Sequence, residues 1–123
     1  MNKLLKSSML MMLLISSSSF ADCKKPMSQW EMNECAYLEY KEVDKELNDV
    51  YKQLMSKLNA SEKEKLKIEQ RKWGVFRDGS ARESISDISG TMASGIYSSS
   101  LAHHTKNRIK ELKSLLAKKE SGK

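Results

Sequence analysis

Few residues in this chain could do chemistry, and their spacing limits what that chemistry could be. Cys23 and Cys35 are the only two cysteines, with eleven residues between them. A redox catalyst wants a tight Cys-x-x-Cys, and two thiols cannot fill a four-ligand zinc site. In an oxidising compartment the pair is expected to form a structural disulfide. Closing a loop of about a dozen residues constrains the unfolded chain by roughly 3 kcal/mol on the entropic model. His103 and His104 are adjacent, so on a helix they point about 100° apart and do not chelate as an i, i+4 pair does. They are expected at the surface or in packing. Glu39, Glu42, Glu46 and Asp49 crowd one stretch, yet a catalytic carboxylate needs an enclosed, perturbing site, and these suit a solvated helix face. The chain has no Gly-x-Ser-x-Gly elbow and no glycine-rich phosphate loop. No catalytic residue, metal site or cofactor is expected, and no enzyme.

Polar residues on faces that should meet other helices carry more information. Asp44 and Asn48 flank Leu47 and Tyr51, Gln70 and Arg77 share a face with Trp73, and Thr105 and Arg108 border an apolar stripe. Buried polar groups need partners. An interhelix clasp is therefore expected, built on an Asp44–Arg108 pair or centred on Arg77 and Asp78. The competing expectation is a recognition surface around Arg77, Asp78 and Gly90-Thr91.

Three helices are needed to place these residues. Ser28 can cap a helix start with Glu31 reaching back, and Met27 against Met32 would make a hydrophobic staple. Trp30, Ala36, Tyr40, Val43, Leu47, Val50, Tyr51, Leu54 and Leu58 then recur at helical steps, predicting an amphipathic helix to about Leu58. Asn59-Ala60 breaks that pattern. Ser61 with Glu64 reads as a second capping box, followed by Leu66, Gln70, Trp73, Phe76 and Arg77 on one face. The short connection makes the first two helices antiparallel neighbours. From Gly79 to Ser100, eight of 22 residues are serine and three are glycine, predicting a partly ordered connector with a helix resuming near Ser94. Leu101, Thr105, Ile109, Leu112 and Leu116 form the last stripe, and the tail from Lys118 is expected to fray. The predicted fold class is all-α: a three-helix, antiparallel, bundle-like domain with a long first helix and one N-terminal disulfide.

The 123 residues carry 22 Lys+Arg against 16 Asp+Glu, a formal charge of +6. That is room for one compact domain, and the balance would ordinarily suggest an anionic partner. The first 21 residues change the sum. Lys3 and Lys6, the apolar run Met9–Ile15, and Ser19-Phe20-Ala21 have the tripartite form of a secretory leader cut after Ala21. Its apolar run is far short of the ~20 residues that span a bilayer, so no stable membrane anchor is expected. Asp22 immediately before Cys23 argues against lipid attachment. The mature domain would be residues 22–123, periplasmic or secreted, with 20 basic and 16 acidic residues and a net charge of +4. No nucleic-acid motif accompanies that charge. Glu31–Leu58 carries seven acids and four bases, while Leu101–Lys123 carries seven bases and two acids. The first and last helices should therefore attract one another.

Cys23, Glu31-Met32-Asn33-Glu34-Cys35-Ala36 and Asp44-x-x-Leu47-Asn48-x-x-Tyr51 stand in order along the chain. They are followed by Gln70-Arg71-x-Trp73-x-x-Phe76-Arg77-Asp78, Gly90-Thr91 and Thr105-x-x-Arg108-x-x-Glu111-Leu112. This series resembles the N-terminal domain of the LprI-type lysozyme inhibitor family over nearly the whole mature chain. The resemblance implies a small, exported, helical, disulfide-bonded protein whose partner is a lysozyme. It also implies a second cysteine pair, and here the corresponding stretches read Gly79-Ser80-Ala81 and Ser98-Ser99-Ser100, which should loosen the connector.

Two binding functions follow. In the first, the chain is a protein-binding module that inhibits a lysozyme, with an Arg such as Arg77 or Arg82 reaching the carboxylates of the glycosidase cleft. Basic host lysozymes would not be steered toward a +4 inhibitor, so local complementarity must carry the affinity. In the second, it is a cell-envelope accessory or structural-interaction protein that docks another envelope protein or an anionic surface through its basic tail.

Overall fold

The computed structural model describes residues 23–25 and 28–122. The expected leader, its cut after Ala21, the Met27 half of the staple and Lys123 lie outside the described residues. Three helices follow one another: α1 (Gln29–Met55), α2 (Ala60–Glu83) and α3 (Ala93–Ser121). The fold is all-α, as the periodicity predicts.

Ser28 opens α1. Its hydroxyl accepts from the Glu31 backbone N–H and donates to the Glu31 carboxylate, both at 3.1 Å. This satisfies one of the amide donors that a helix start leaves orphaned. The Cys23–Cys35 disulfide, with Cα atoms 5.5 Å apart, ties the preceding segment to the second turn. At the other end α1 stops earlier than expected, at Met55. Lys57 and Leu58 donate instead to the carbonyls of Leu54 and Met55, three residues back, so the last turn tightens toward 3₁₀ geometry. Leu58 still packs against the core from this turn.

The second helix begins at a different cap from the expected Ser61–Glu64 box. The Asn59 side chain accepts from the Glu62 N–H at 2.9 Å, and the Glu62 carboxylate accepts from the Asn59 N–H at 3.1 Å. Asparagine caps as well as serine, and its extended backbone lets the helix start at Ala60, so the break and the cap are one feature. The connector is shorter than expected. Residues 79–83 finish α2 and 93–100 open α3, leaving 84–92 as turns. Gly90 supplies the one positive φ among the described residues, +85°, which a side-chain-bearing residue adopts at a cost. The tail is helical through Ser121 rather than frayed from Lys118.

Side-chain pairings set the directions. Glu39 pairs with Lys106 and Glu46 with Lys113, a constant offset that requires α1 and α3 to run parallel. Glu62 meets Lys119, Gln70 meets Arg108 and Arg77 meets Thr105, so α2 advances as α3 retreats and is antiparallel to both. The α3 helix lies closely along α1 and less closely along α2. The core is Val43, Leu47, Val50 and Leu54 of α1, Leu66 of α2, and Ala102, Ile109 and Leu112 of α3, with Tyr40, Tyr51, Trp73 and Leu116 packed against it. Two members of the predicted stripes are displaced. Trp30 is 65% and Phe76 57% exposed, because Asn33 faces α3 in the first turns of α1 and Arg77 points inward from α2. Only Leu66 and Ala81 of α2 are buried, so that helix needs another attachment.

Candidate functional site

That attachment is polar. Arg77 projects inward from the C-terminal half of α2, with its side chain only 14% exposed. Its guanidinium lies 5.0 Å from the Trp73 ring centroid and 5.5 Å from that of Tyr40. A planar, weakly hydrated cation can rest against aromatic faces while its N–H groups donate in plane. The Nε donates to Asp78 at 3.0 Å. The Nη1 reaches Asp44 and the Thr105 hydroxyl, both at 3.4 Å. Thr105 is fully buried and donates to the Leu101 carbonyl at 2.7 Å, leaving its lone pairs for Arg77. One side chain thus joins all three helices. Burial pushes the Tyr40 phenol above its ordinary value, with Arg77 acting the other way.

A second node lies one turn further along α3. Arg108 is 8% exposed. Its Nε donates to Gln70 Oε1 at 2.9 Å and its Nη1 to Glu111 at 2.8 Å, while Nη2 is buried with no hydrogen-bond partner. The expected Asp44–Arg108 pair is therefore corrected to Asp44–Arg77 and Gln70–Arg108, while the Arg77–Asp78 centre is present. Asn48 does not join the clasp: it is exposed. Gly90-Thr91 does not meet Arg77 either. The Thr91 carbonyl accepts from Asn33 Nδ2 at 2.6 Å, and Asn33 precedes Asp44 by about 16 Å along α1 at the helical rise. The expected recognition surface is thus divided into two parts about three turns apart along α1. Arg77 is committed internally and unavailable to a partner, whereas Arg82 is exposed and makes no side-chain bond among the described residues.

The contacts of three residues were not assigned from the sequence. Tyr40 stood only in an apolar stripe, though it lies one turn before Asp44. Glu111 stood three after Arg108, the spacing of an intrahelical ion pair. Asn33 carried no periodic signal. His104 packs edge-on against Phe76 at 5.2 Å, and His103 approaches Asn107 at 3.3 Å.

Grooves lie on the surface around this scaffold. One of about 580 Å³ lies between Leu54, Leu58, Leu66 and Leu115, rimmed by Lys65 and Lys118. One of about 440 Å³ runs between Met32, Ala36, Met92 and Ile96. A shallow one of about 280 Å³ is lined by Asn48, Tyr51, Lys67, Gln70 and Arg71. A family model described as "Lysozyme inhibitor LprI" matches residues 21–112. The chain belongs to the LprI lysozyme inhibitor family. The match takes in both cysteines and both arginine nodes. An uncharacterized protein of Rhizobium meliloti (strain 1021) is 32% identical over 114 residues, covering 81% of this chain and 82% of its own length. No solved structure matches. The two stretches that lack the second cysteine pair are helical, with Ala81 and Ser98 buried. No helix among the described residues is long and apolar enough to cross a membrane.

Proposed function

We propose that this LprI-family chain is exported to the periplasm or beyond the cell and there binds and inhibits a lysozyme. Membership of the family over residues 21–112 is the observation that carries this reading. The Cys23–Cys35 disulfide supports export, because such bonds persist in oxidising compartments. A rigid support for a binding face follows from the clasp: three helices joined at Arg77 hold their surfaces in fixed relation, and preorganisation lowers the entropic cost of docking. The chain works by binding rather than by catalysis. The direct experiment is a cell-wall clearing assay with purified residues 22–123 against several lysozyme types. Slower clearing by at least one type is the expected outcome, and undiminished clearing of every type at excess chain removes the proposal.

A further inference from the structure

We propose that the shallow depression between α1 and α2 seats a protruding Asp or Glu side chain of the partner protein. This rests on the lysozyme reading only for the partner's identity. Asn48 and Tyr51, one turn apart on α1, face Lys67, Gln70 and Arg71 on α2 across about 280 Å³. Every one of the five can donate a hydrogen bond. Asn48, the Tyr51 hydroxyl, Lys67 and Arg71 make no hydrogen bond or ion pair among the described residues. On α3, by contrast, four of the six basic residues, Lys106, Arg108, Lys113 and Lys119, are paired with carboxylates. Gln70 is held in place, since its Oε1 accepts from Arg108, and its amide nitrogen is left to donate. Behind it stands the buried Arg108 guanidinium with one nitrogen unpartnered. Asp49 and Glu69 follow and precede lining residues, but about 100° round their helices, and no acid lines the depression.

The occupant is therefore anionic. Two cations and three neutral donors suit a carboxylate, which accepts through two oxygens and can take an arginine fork. The depression is open as well as small. Ligand sites that hold a free molecule bury most of its surface, and this one would leave a small anion largely in water. A side chain presented on a folded surface brings its own cover and its own positional order. Asn48 and Arg71 are also motif residues that the core does not require, since both are exposed.

Two measurements test this. Against any lysozyme that the chain inhibits, Lys67→Glu with Arg71→Glu is expected to weaken inhibition by at least about tenfold, the scale of a lost charge pair at an interface. Lys110→Glu, a reversal at an exposed site on α3, is expected to stay within about twofold. Equal inhibition by the double variant and the parent would overturn the proposal. The second measurement needs no lysozyme. The peptide acetyl-Ala-Glu-Ala-amide is expected to shift the Asn48 and Gln70 side-chain amide NMR signals saturably, and acetyl-Ala-Gln-Ala-amide is not. Absent shifts, or equal shifts with inorganic phosphate, would overturn the docking site whatever the enzyme assay shows. Saturable shifts in a chain that inhibits no lysozyme would instead remove the lysozyme reading and leave the depression standing.

Discussion

Arg77 does what a lysine at the same position could not. Its flat guanidinium rests between Tyr40 and Trp73 while donating to Asp44, Asp78 and Thr105, whereas an ammonium is a strongly hydrated point charge without the fork. Removing the buried Arg77 loses its packing on both rings and its bond to buried Thr105, and leaves Asp44 and Asp78 side by side without a counter-charge. Arg77→Ala is thus expected to lose about 3 kcal/mol in urea unfolding, and Arg77→Lys to recover only part of it. Because α2 buries just Leu66 and Ala81, hydrogen exchange in Arg77→Ala should rise in α2 before α1 or α3; a uniform rise would contradict the clasp. A second residue contributes to acid sensitivity. Glu62 accepts from Lys119 and from the Asn59 N–H, which hold its carboxyl below the ordinary 4.5. A lowered folded pKa contributes stability above the ordinary value and loses it as pH falls through the folded one. Thermal stability should therefore decline below about pH 4.5, less steeply in Glu62→Gln. At this scale the sequence showed most of the residues that face inward: Asp44, Gln70, Arg77, Thr105 and Arg108 do, and Asn48 does not. It could not show who meets whom, because periodicity fixes a residue's side of the helix and not its height against a neighbour. Arg108 accordingly sits a turn beyond Thr105, at Gln70.

Helix boundaries depend on which of two overlapping caps wins. Asn59-x-x-Glu62 and Ser61-x-x-Glu64 have the same spacing, and only the first is used. Asn59→Ala should cost about 1 kcal/mol and Ser61→Ala nearly nothing, as judged by chemical denaturation; the reverse order would move the helix start. The connector was legible as an interruption and illegible in extent, since serine is tolerated in α3 wherever its neighbours pack. Its fixed points are glycines. Gly90 sits at φ +85°, so Gly90→Ala should lose about 1–2 kcal/mol. A Cβ on Gly95 would fall 2.3 Å from Asn33 Oδ1. That amide is tethered to Gln29 and Thr91 and cannot swing aside, so Gly95→Ala should cost about 1–3 kcal/mol as overpacking. A loss of neither size in thermal melts would mean that the α1–α3 approach is looser than the structure has it.

Over the whole molecule the charge asymmetry is partly answered inside. Acidic α1 and basic α3 run parallel and meet at Glu39–Lys106 and Glu46–Lys113, seven residues apart on each helix. Exposed pairs of this kind contribute under about 1 kcal/mol each, and their larger effect is to favour this helix order over its alternatives. The net charge of +4 carried by residues 22–123 would still repel a basic lysozyme at long range. Raising salt from about 50 to about 300 mM should then speed association with such an enzyme by screening. Docking to an anionic envelope surface would slow under the same change, so stopped-flow rates separate the two functions. The central claim is tested most directly by titrating lysozyme activity with the purified mature chain, with Cys35→Ser as the folding control. The expected result is a saturating loss of clearing activity with an end point near one chain per enzyme, blunted in Cys35→Ser; full activity of every lysozyme type at large molar excess of the folded chain would contradict it.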